Sequence, residues 1–282
     1  MKSTLIVLVF GFLSSCSSSS CVDNQVCSSP LLRLFVGVLS APSYVDRREA
    51  IRASWMRDVR AGACSGVDVL SVKFFVGRAD SSAQRAAIER ERAAFDDLVV
   101  DDSVEESYLR LLEKTVAMFR FAVGSSEEFT HIVKADDDTF VSLPRLCEDL
   151  RLRTMAPSIY YGFFHNSSFV IRVPGAKFSE PKQTDCPTHL PYASGALYML
   201  TRDLAQFIVE NRPRLRTFNN EDVAVGFWLA PLELTRIHQD RIRPERAREA
   251  EWAALCPALA STTSIAQHRL TPAEMKRCGL HL

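Results

Sequence analysis

The stretch His131-Ile-Val-Lys-Ala-Asp-Asp-Asp-Thr-Phe-Val141 changes character twice. Phe129 to Val133 is aromatic and β-branched, the make-up of a short buried strand. The apolar run stops at three consecutive carboxylates, Asp136, Asp137 and Asp138, and resumes at Thr139-Phe140-Val141. The acidic cluster therefore interrupts a buried segment at the end of a strand. In open α/β sheets, ligands bind outside the carboxyl ends of strands. Carboxylates packed this closely repel one another unless they face water or a cation neutralises them. Hard divalent ions take such oxygens together with the phosphates of a substrate. The reading is a metal–diphosphate site at a strand end. The alternative is an acidic surface turn.

The segments around this strand alternate. Leu31 to Leu39 is a near-continuous apolar run, as expected for a first buried strand. Asp46 opens a helix in which Arg48 and Arg52 lie four apart on one face, where they can clamp phosphates or simply face solvent. Val69 to Val76 predicts a second strand, Ser81 to Phe95 a helix, and Leu98 to Val100 a third strand. Glu105 to Val123 carries a helical stripe of Tyr108, Leu111, Leu112, Thr115, Val116, Phe119 and Val123, read as core. This alternation predicts an α/β fold with a largely parallel central sheet flanked by helices. No GxGxxG or GxxxxGK[ST] motif occurs, so a diphosphate would be held through metal and Arg.

Further along, Ile159 to Phe164 and Tyr192 to Leu200 read as strands, with irregular chain from Ile171 to Pro191 between them. Gly195 either admits a ligand close to the backbone or marks a bulge. Asn219-Asn-Glu-Asp-Val223 puts capping residues and two carboxylates ahead of an apolar helix. Glu221 and Asp222 there either stabilise the helix dipole or include a catalytic base. The dipole would favour the Asp222 anion.

The 282 residues carry a formal net charge of zero, 47% of them hydrophobic and 24% charged, so the chain can bury a large core. Nothing in that balance points to nucleic acid. Met1-Lys2 precedes an apolar run from Leu5 to Leu13 and Ser-rich residues, the pattern of a secretory signal or a short signal-anchor. Residues 1–30 are read as that signal plus a Ser/Cys-rich linker, and 31–282 as one lumenal domain. Eight cysteines suit an oxidising lumen, where several should be bridged. Asn166-Ser-Ser168 is a glycosylation sequon.

Seven blocks stand in an order and spacing that resemble the β-1,3-galactosyltransferase family of Golgi enzymes. They are Arg47 to Trp55, Phe74 to Gly77, Leu111 to Thr115, Lys134 to Phe140, Tyr192 to Gly195, Glu221 to Val223, and Ile265 to Met275. Tyr161-Gly-Phe-Phe164, Leu190 to Ala193 and Glu221 to Pro231 look like the branch that builds the glycosaminoglycan linkage region, of galactosyltransferase II type.

The resemblance implies a GT-A nucleotide-sugar-binding fold and inverting transfer from UDP-galactose with Mn²⁺. The implied acceptor is a glycan, the galactosyl-xylose stub that precedes the proteoglycan linkage tetrasaccharide. It implies Asp138 and His268 as metal ligands and Asp222 as the catalytic base. Arg48, Arg52, Lys134, Asp136, Asp137, Gly195 and Glu221 fall on the donor or substrate side. It also implies residence in the Golgi lumen, as a single-pass type II membrane protein or a cleaved soluble form. Two other readings use the same residues: a β-1,3-N-acetylglucosaminyltransferase, and a non-catalytic protein that binds glycans or nucleotide sugars.

Overall fold

In the computed structural model the described residues are 32–62, 64, 66–154, 156–183, 185–246 and 264–279. The expectations for residues 1–30 lie outside them. Among the described residues no helix is long and apolar enough to cross a membrane.

Strand β1 (Leu32–Leu39) sets the architecture. Side chains alternate across a strand. Leu32, Leu34, Val36 and Val38 enter one apolar core, while Phe35 and Leu39 enter a second core on the opposite face. The chain continues through helices α1 (Val45–Arg52) and α2 (Arg57–Arg60), strand β2 (Val67–Arg78), helix α3 (Ser82–Ala94) and strand β3 (Leu98–Glu105). Helix α4 (Leu111–Gly124), strands β4 (His131–Asp136) and β5 (Phe140–Val141), helix α5 (Leu143–Arg153) and strand β6 (Ile159–His165) follow. The remainder is β7 (Tyr192–Thr201), α6 (Arg202–Asn211), α7 (Glu221–Leu229), β8 (Thr235–His238), β9 (Ile242–Arg243), β10 (Ala266–Gln267) and α8 (Pro272–Gly279).

Seven strands form the main sheet in the order β3-β2-β1-β4-β7-β6-β8. Strand β1 runs parallel to β2 and β4, β2 to β3, and β6 to β8, whereas β7 is antiparallel to both of its neighbours. The fold is thus the α/β arrangement expected, with one reversed strand. That reversal brings the start of β7 beside the end of β4, where Ala135 faces Leu197 and Lys134 faces Tyr198. A small second sheet, β5-β10-β9, pairs Gln267 with Phe140.

Three local expectations are corrected. Helix α1 begins at Val45, and Asp46 sits in its first turn with Oδ1 accepting the Arg47 N–H, so Asp46 is not the cap. Strand β3 extends to Glu105, and a 3-10 turn at Tyr108–Arg110 delays α4 to Leu111. Asn220 makes no side-chain cap on α7. Two cysteines, Cys64 and Cys147, are bridged, joining the approach to β2 with α5. Cys278 is also disulfide-bonded, and Cys186 is free and exposed.

Candidate active site

Strand β4 ends at Asp136, and the turn after it places the three carboxylates at the floor of a cleft of about 1110 Å³. They diverge. Asp138 Oδ1 lies 2.9 Å from His268 Nε2, and Asp136 Oδ2 lies 3.4 Å from the same nitrogen. Pairing of β10 with β5, followed by the Leu270 N–H donating to the Asp138 carbonyl, carries His268 to that point. Its other nitrogen, Nδ1, is fixed 2.9 Å from the Pro244 carbonyl oxygen. Asp136, Asp138 and His268 each offer one donor atom, all within 4.8 Å of one another. Two carboxylate oxygens and an imidazole nitrogen are a set that a divalent ion such as Mn²⁺ accepts.

Burial works against charge on both sides of the His268–Asp138 contact. The hydrogen bond between them nevertheless holds Asp138 below the usual carboxylate range and raises the imidazole. The carboxylate that stands with Asp138 and His268 is Asp136, expected on the substrate side. Asp137 turns behind them: Ser40 Oγ donates to it at 2.8 Å and Arg47 Nη1 at 2.7 Å. Burial pushes Asp137 up to about 6 against the pull of Arg47.

Lys134, on β4, is wholly buried. Its ammonium donates to Asp136 Oδ1 at 2.6 Å and to the Gly195 carbonyl at 2.5 Å, and lies 2.7 Å from Glu221 Oε1. An ammonium has three donors. All three are engaged, so Lys134 ties β4, β7 and α7 together at the cleft rather than reaching for a phosphate. Gly195 is required by this knot. A Cβ there would lie 2.8 Å from Glu221 Oε1 and 3.2 Å from Lys134 Nζ. The group that approaches its backbone is thus the Lys134–Glu221 pair.

Glu221 is 3% exposed, and Tyr198 Oη donates to its Oε2 at 3.0 Å. Burial raises its carboxyl and Lys134 pulls it back. Asp222, the next residue, lines the open cleft. Its Oδ2 accepts the Gly195 N–H at 3.0 Å and its Oδ1 accepts the Val223 N–H at 2.8 Å. Helix α7 is held this close because Gly226 lies against Tyr192, whose Cβ would be 2.4 Å from an added Cβ. The expectation that the helix N-terminus dominates Asp222 is corrected. Burial raises its pKa despite Lys134 and the two N–H groups, which makes it a stronger base.

Arg48 and Arg52 are not in the cleft. Arg48 is 0% exposed, with Nε and Nη2 donating to the two oxygens of Glu91 at 2.8 and 2.7 Å. Arg52 bonds Glu91 and, through two nitrogens, Asp97. Their shared helix face turns toward α3, and it is the preceding residue, Arg47, that faces the carboxylates. Arg48 does reach back through Nη1, which donates to Ser40 Oγ at 3.1 Å, behind Asp137, and to the Ala41 carbonyl at 2.5 Å.

Arg47 and Tyr108 are cleft residues that the sequence reading did not single out. Tyr108 belonged to a stripe assigned to the core, yet it is 48% exposed and donates to Asn220 Oδ1 at 3.2 Å. Burial, then the charges of Asp222, Asp136 and Glu221, push its phenol up to about 12. The stripe begins in the 3-10 turn Tyr108–Arg110, ahead of α4, where the tighter winding does not keep the face of the α-helix that follows. Asn166 is exposed in the turn after β6, beside the cleft residues His165 and Ser168.

The galactosyltransferase family model matches residues 46–240. The chain is 34% identical over 240 residues to mouse "Beta-1,3-galactosyltransferase 6", covering 83% of this chain and 72% of the mouse protein. It is 33% identical over 205 residues to "Hydroxyproline O-galactosyltransferase GALT5" of Arabidopsis thaliana, covering 70% of this chain and 29% of that protein. A third relative, "Probable beta-1,3-galactosyltransferase 5" of the same plant, is 30% identical over 256 residues, 86% of this chain and 63% of its own length.

Proposed function

The chain belongs to the galactosyltransferase family, and on that premise we propose that it moves galactose from UDP-galactose to a sugar hydroxyl, in β-1,3 linkage and with inversion. The observation that carries this reading is that Asp136, Asp138 and His268 converge in the cleft that Asp222 also lines, with Lys134 joining Asp136 to Glu221, the neighbour of Asp222. Asp136, Asp138 and His268 would hold the ion, Mn²⁺ in this reading. Bound there, the ion would offset the charge that develops on the departing UDP.

The protein's own groups do the rest. Asp222 takes the proton of the attacking acceptor hydroxyl. Gly195 and Val223 occupy one site on each of its oxygens, and the remaining lone pairs are open to that proton. Inversion follows because the hydroxyl attacks from the side opposite UDP with no covalent intermediate. Lys134 keeps Asp136 and Glu221 in place, and Arg47 steadies Asp137. Glu221 is closed off by Lys134 and Tyr198, which supports Asp222 over its neighbour as the base.

The proposed acceptor is the galactosyl-xylose stub of proteoglycans. The proposed location is the Golgi lumen, anchored or released. The Cys64–Cys147 bridge and the exposed Asn166 sequon, a proposed glycan site, accord with that compartment.

The test is a screen of the purified protein with Mn²⁺ against UDP-galactose and UDP-N-acetylglucosamine, with product linkage read by NMR. A β-1,3-galactoside is the expected product. Preference for the second donor, or no product from either, overturns the reading.

A further inference from the structure

Two irregular segments of the chain carry charge of one sign. Residues 171–185, between β6 and β7, and residues 212–217, after α6, hold Arg172, Lys177, Lys182, Arg212, Arg214 and Arg216. The same residues include two carboxylates, Glu180 and Asp185, which leaves a surplus of four positive charges in a chain that is neutral as a whole. Glu180 is buried and accepts both the Asn220 backbone N–H and its side-chain amide. Asp185 pairs with Arg216 at 2.8 Å. The other five cations have no carboxylate partner among the described residues.

Hydrogen bonds make the two segments one surface. Arg216 Nη2 donates to the Lys182 carbonyl at 2.8 Å. The Asn219 side chain donates to the Ser179 carbonyl at 2.7 Å, and the Asn220 side chain to the Phe178 carbonyl at 3.1 Å. Arg172, Lys177, Lys182, Arg214 and Arg216 are exposed. The fold uses part of this charge, since Arg172 donates to the Gln183 and Cys186 carbonyls. The side chains of Lys182 and Arg214 make no hydrogen bond or ion pair among the described residues, so the fold does not require them. The surface reaches the cleft through Lys177, which lines it together with Asp222.

The cleft itself has the opposite character, with Asp136, Asp137, Asp138, Glu221 and Asp222 along its wall. An anionic partner is disfavoured inside it and favoured on the basic surface outside. Resting on the galactosyl-transfer reading above, we infer that this surface docks an acidic stretch of the polypeptide that carries the acceptor glycan. The two fields divide the substrate: uncharged sugars enter the cleft, and the carboxylates of their carrier lie along the cations. A string of carboxylates fits better than a single phosphate, because the cations are spread over two segments and no two of them share a hydrogen-bond partner. Complementary charge of this kind governs encounter and choice of partner more than the chemical step.

The experiment uses UDP-galactose, Mn²⁺ and three acceptors that share one galactosyl-xylosyl group: the methyl glycoside, a peptide with the glycan on a serine flanked by glutamates, and the same peptide with glutamines. At low salt the wild-type protein is expected to favour the acidic peptide over the neutral one in kcat/KM by about three- to tenfold, the scale of a few exposed ion pairs. The gain should fall on acceptor KM and fade toward parity at about 1 M salt, where screening is complete within about 3 Å. Lys182→Glu combined with Arg214→Glu should remove the preference or reverse it, with transfer to the methyl glycoside unchanged. Equal use of the two peptides by the wild-type protein at low salt overturns this inference alone. So does a preference that survives in the double variant, or a stronger preference for negative charge placed on the sugars of the neutral peptide. Absence of transfer to all three acceptors by the wild-type protein overturns the galactosyl-transfer reading, and this inference with it.

Discussion

Two clusters of charge flank helix α1, and they are built to opposite ends. Behind it, Arg48 and Arg52 meet Glu91 and Asp97, two cations against two anions, all nearly sealed from solvent. Of the two guanidinium groups, only Arg52 Nη1 lacks a partner among the described residues. In front, the carboxylates of Asp136, Asp137, Asp138, Glu221 and Asp222 border a cleft with Arg47 and Lys134 among them. The first cluster closes on itself and holds α1 to α3. The second is left with excess negative charge and open lone pairs, the condition for receiving a cation and a proton. A dense patch of arginine and carboxylate is thus not a site by virtue of its charge. It becomes one where the pairing is left incomplete.

The sharpest way to break this contrast lies in the open cluster. Asp222→Asn is expected to lower kcat by about 10²–10⁴-fold, with UDP affinity measured by calorimetry close to wild type. Near wild-type turnover would place the base elsewhere.

In the closed cluster the effect should be on stability instead. Arg48→Met leaves buried Glu91 half-paired, a change that costs about 3–5 kcal/mol when a buried pair is broken. Chemical denaturation would show it. A raised donor KM in a fully stable protein would put Arg48 back in the cleft.

Smaller in scale, His268→Ala removes one of the three proposed metal donors. The Mn²⁺ concentration for half-maximal activity is expected to rise by about tenfold or more, as a metal titration would read. An unchanged titration would leave the two aspartates as sufficient.

The subtlest test is pH, because the two clusters respond in opposite senses. Glu91 is held below its ordinary pKa: burial opposes its charge, but Arg48 and Arg52 outweigh it. Its stabilisation is complete above the unfolded value and is lost as pH falls through the folded one. Asp222 is raised by burial, so its contribution to stability is present at low pH and lost as pH rises through its folded pKa. The ionised form that catalysis needs is therefore the less stable one. The acid limb of kcat should lie above the ordinary Asp range, and Lys134→Met should move it higher still, since Lys134 opposes the shift. A limb that stays put in that variant would show the two groups to be uncoupled.

Much of this was legible in the chain. The alternating segments give the α/β order, and the interruption after Val133 marks the cleft floor. What sequence spacing could not supply was direction. Arg48 and Arg52 do share a helix face, but only the position of α3 decides that the face points inward and that Arg47 points out. Likewise His268 reaches Asp138 through a two-residue strand pairing, a contact with no periodic signature. Tyr108 was misassigned because a 3-10 turn breaks the register of its stripe. The reversal of β7 sets Gly195 against Lys134, and strand direction is a property of the whole sheet.

The bridge between Cys64 and Cys147 joins residues 83 apart in sequence. Closing a loop of that length restricts the unfolded chain by about 4–5 kcal/mol in the chain-entropy account. That is a large share of what holds an ordinary domain together. The choice of expression host, and of reductant in an assay buffer, is then a choice about how much folded enzyme is present. A weak activity measured on protein made where thiols stay reduced would report on the workshop before it reported on the tool.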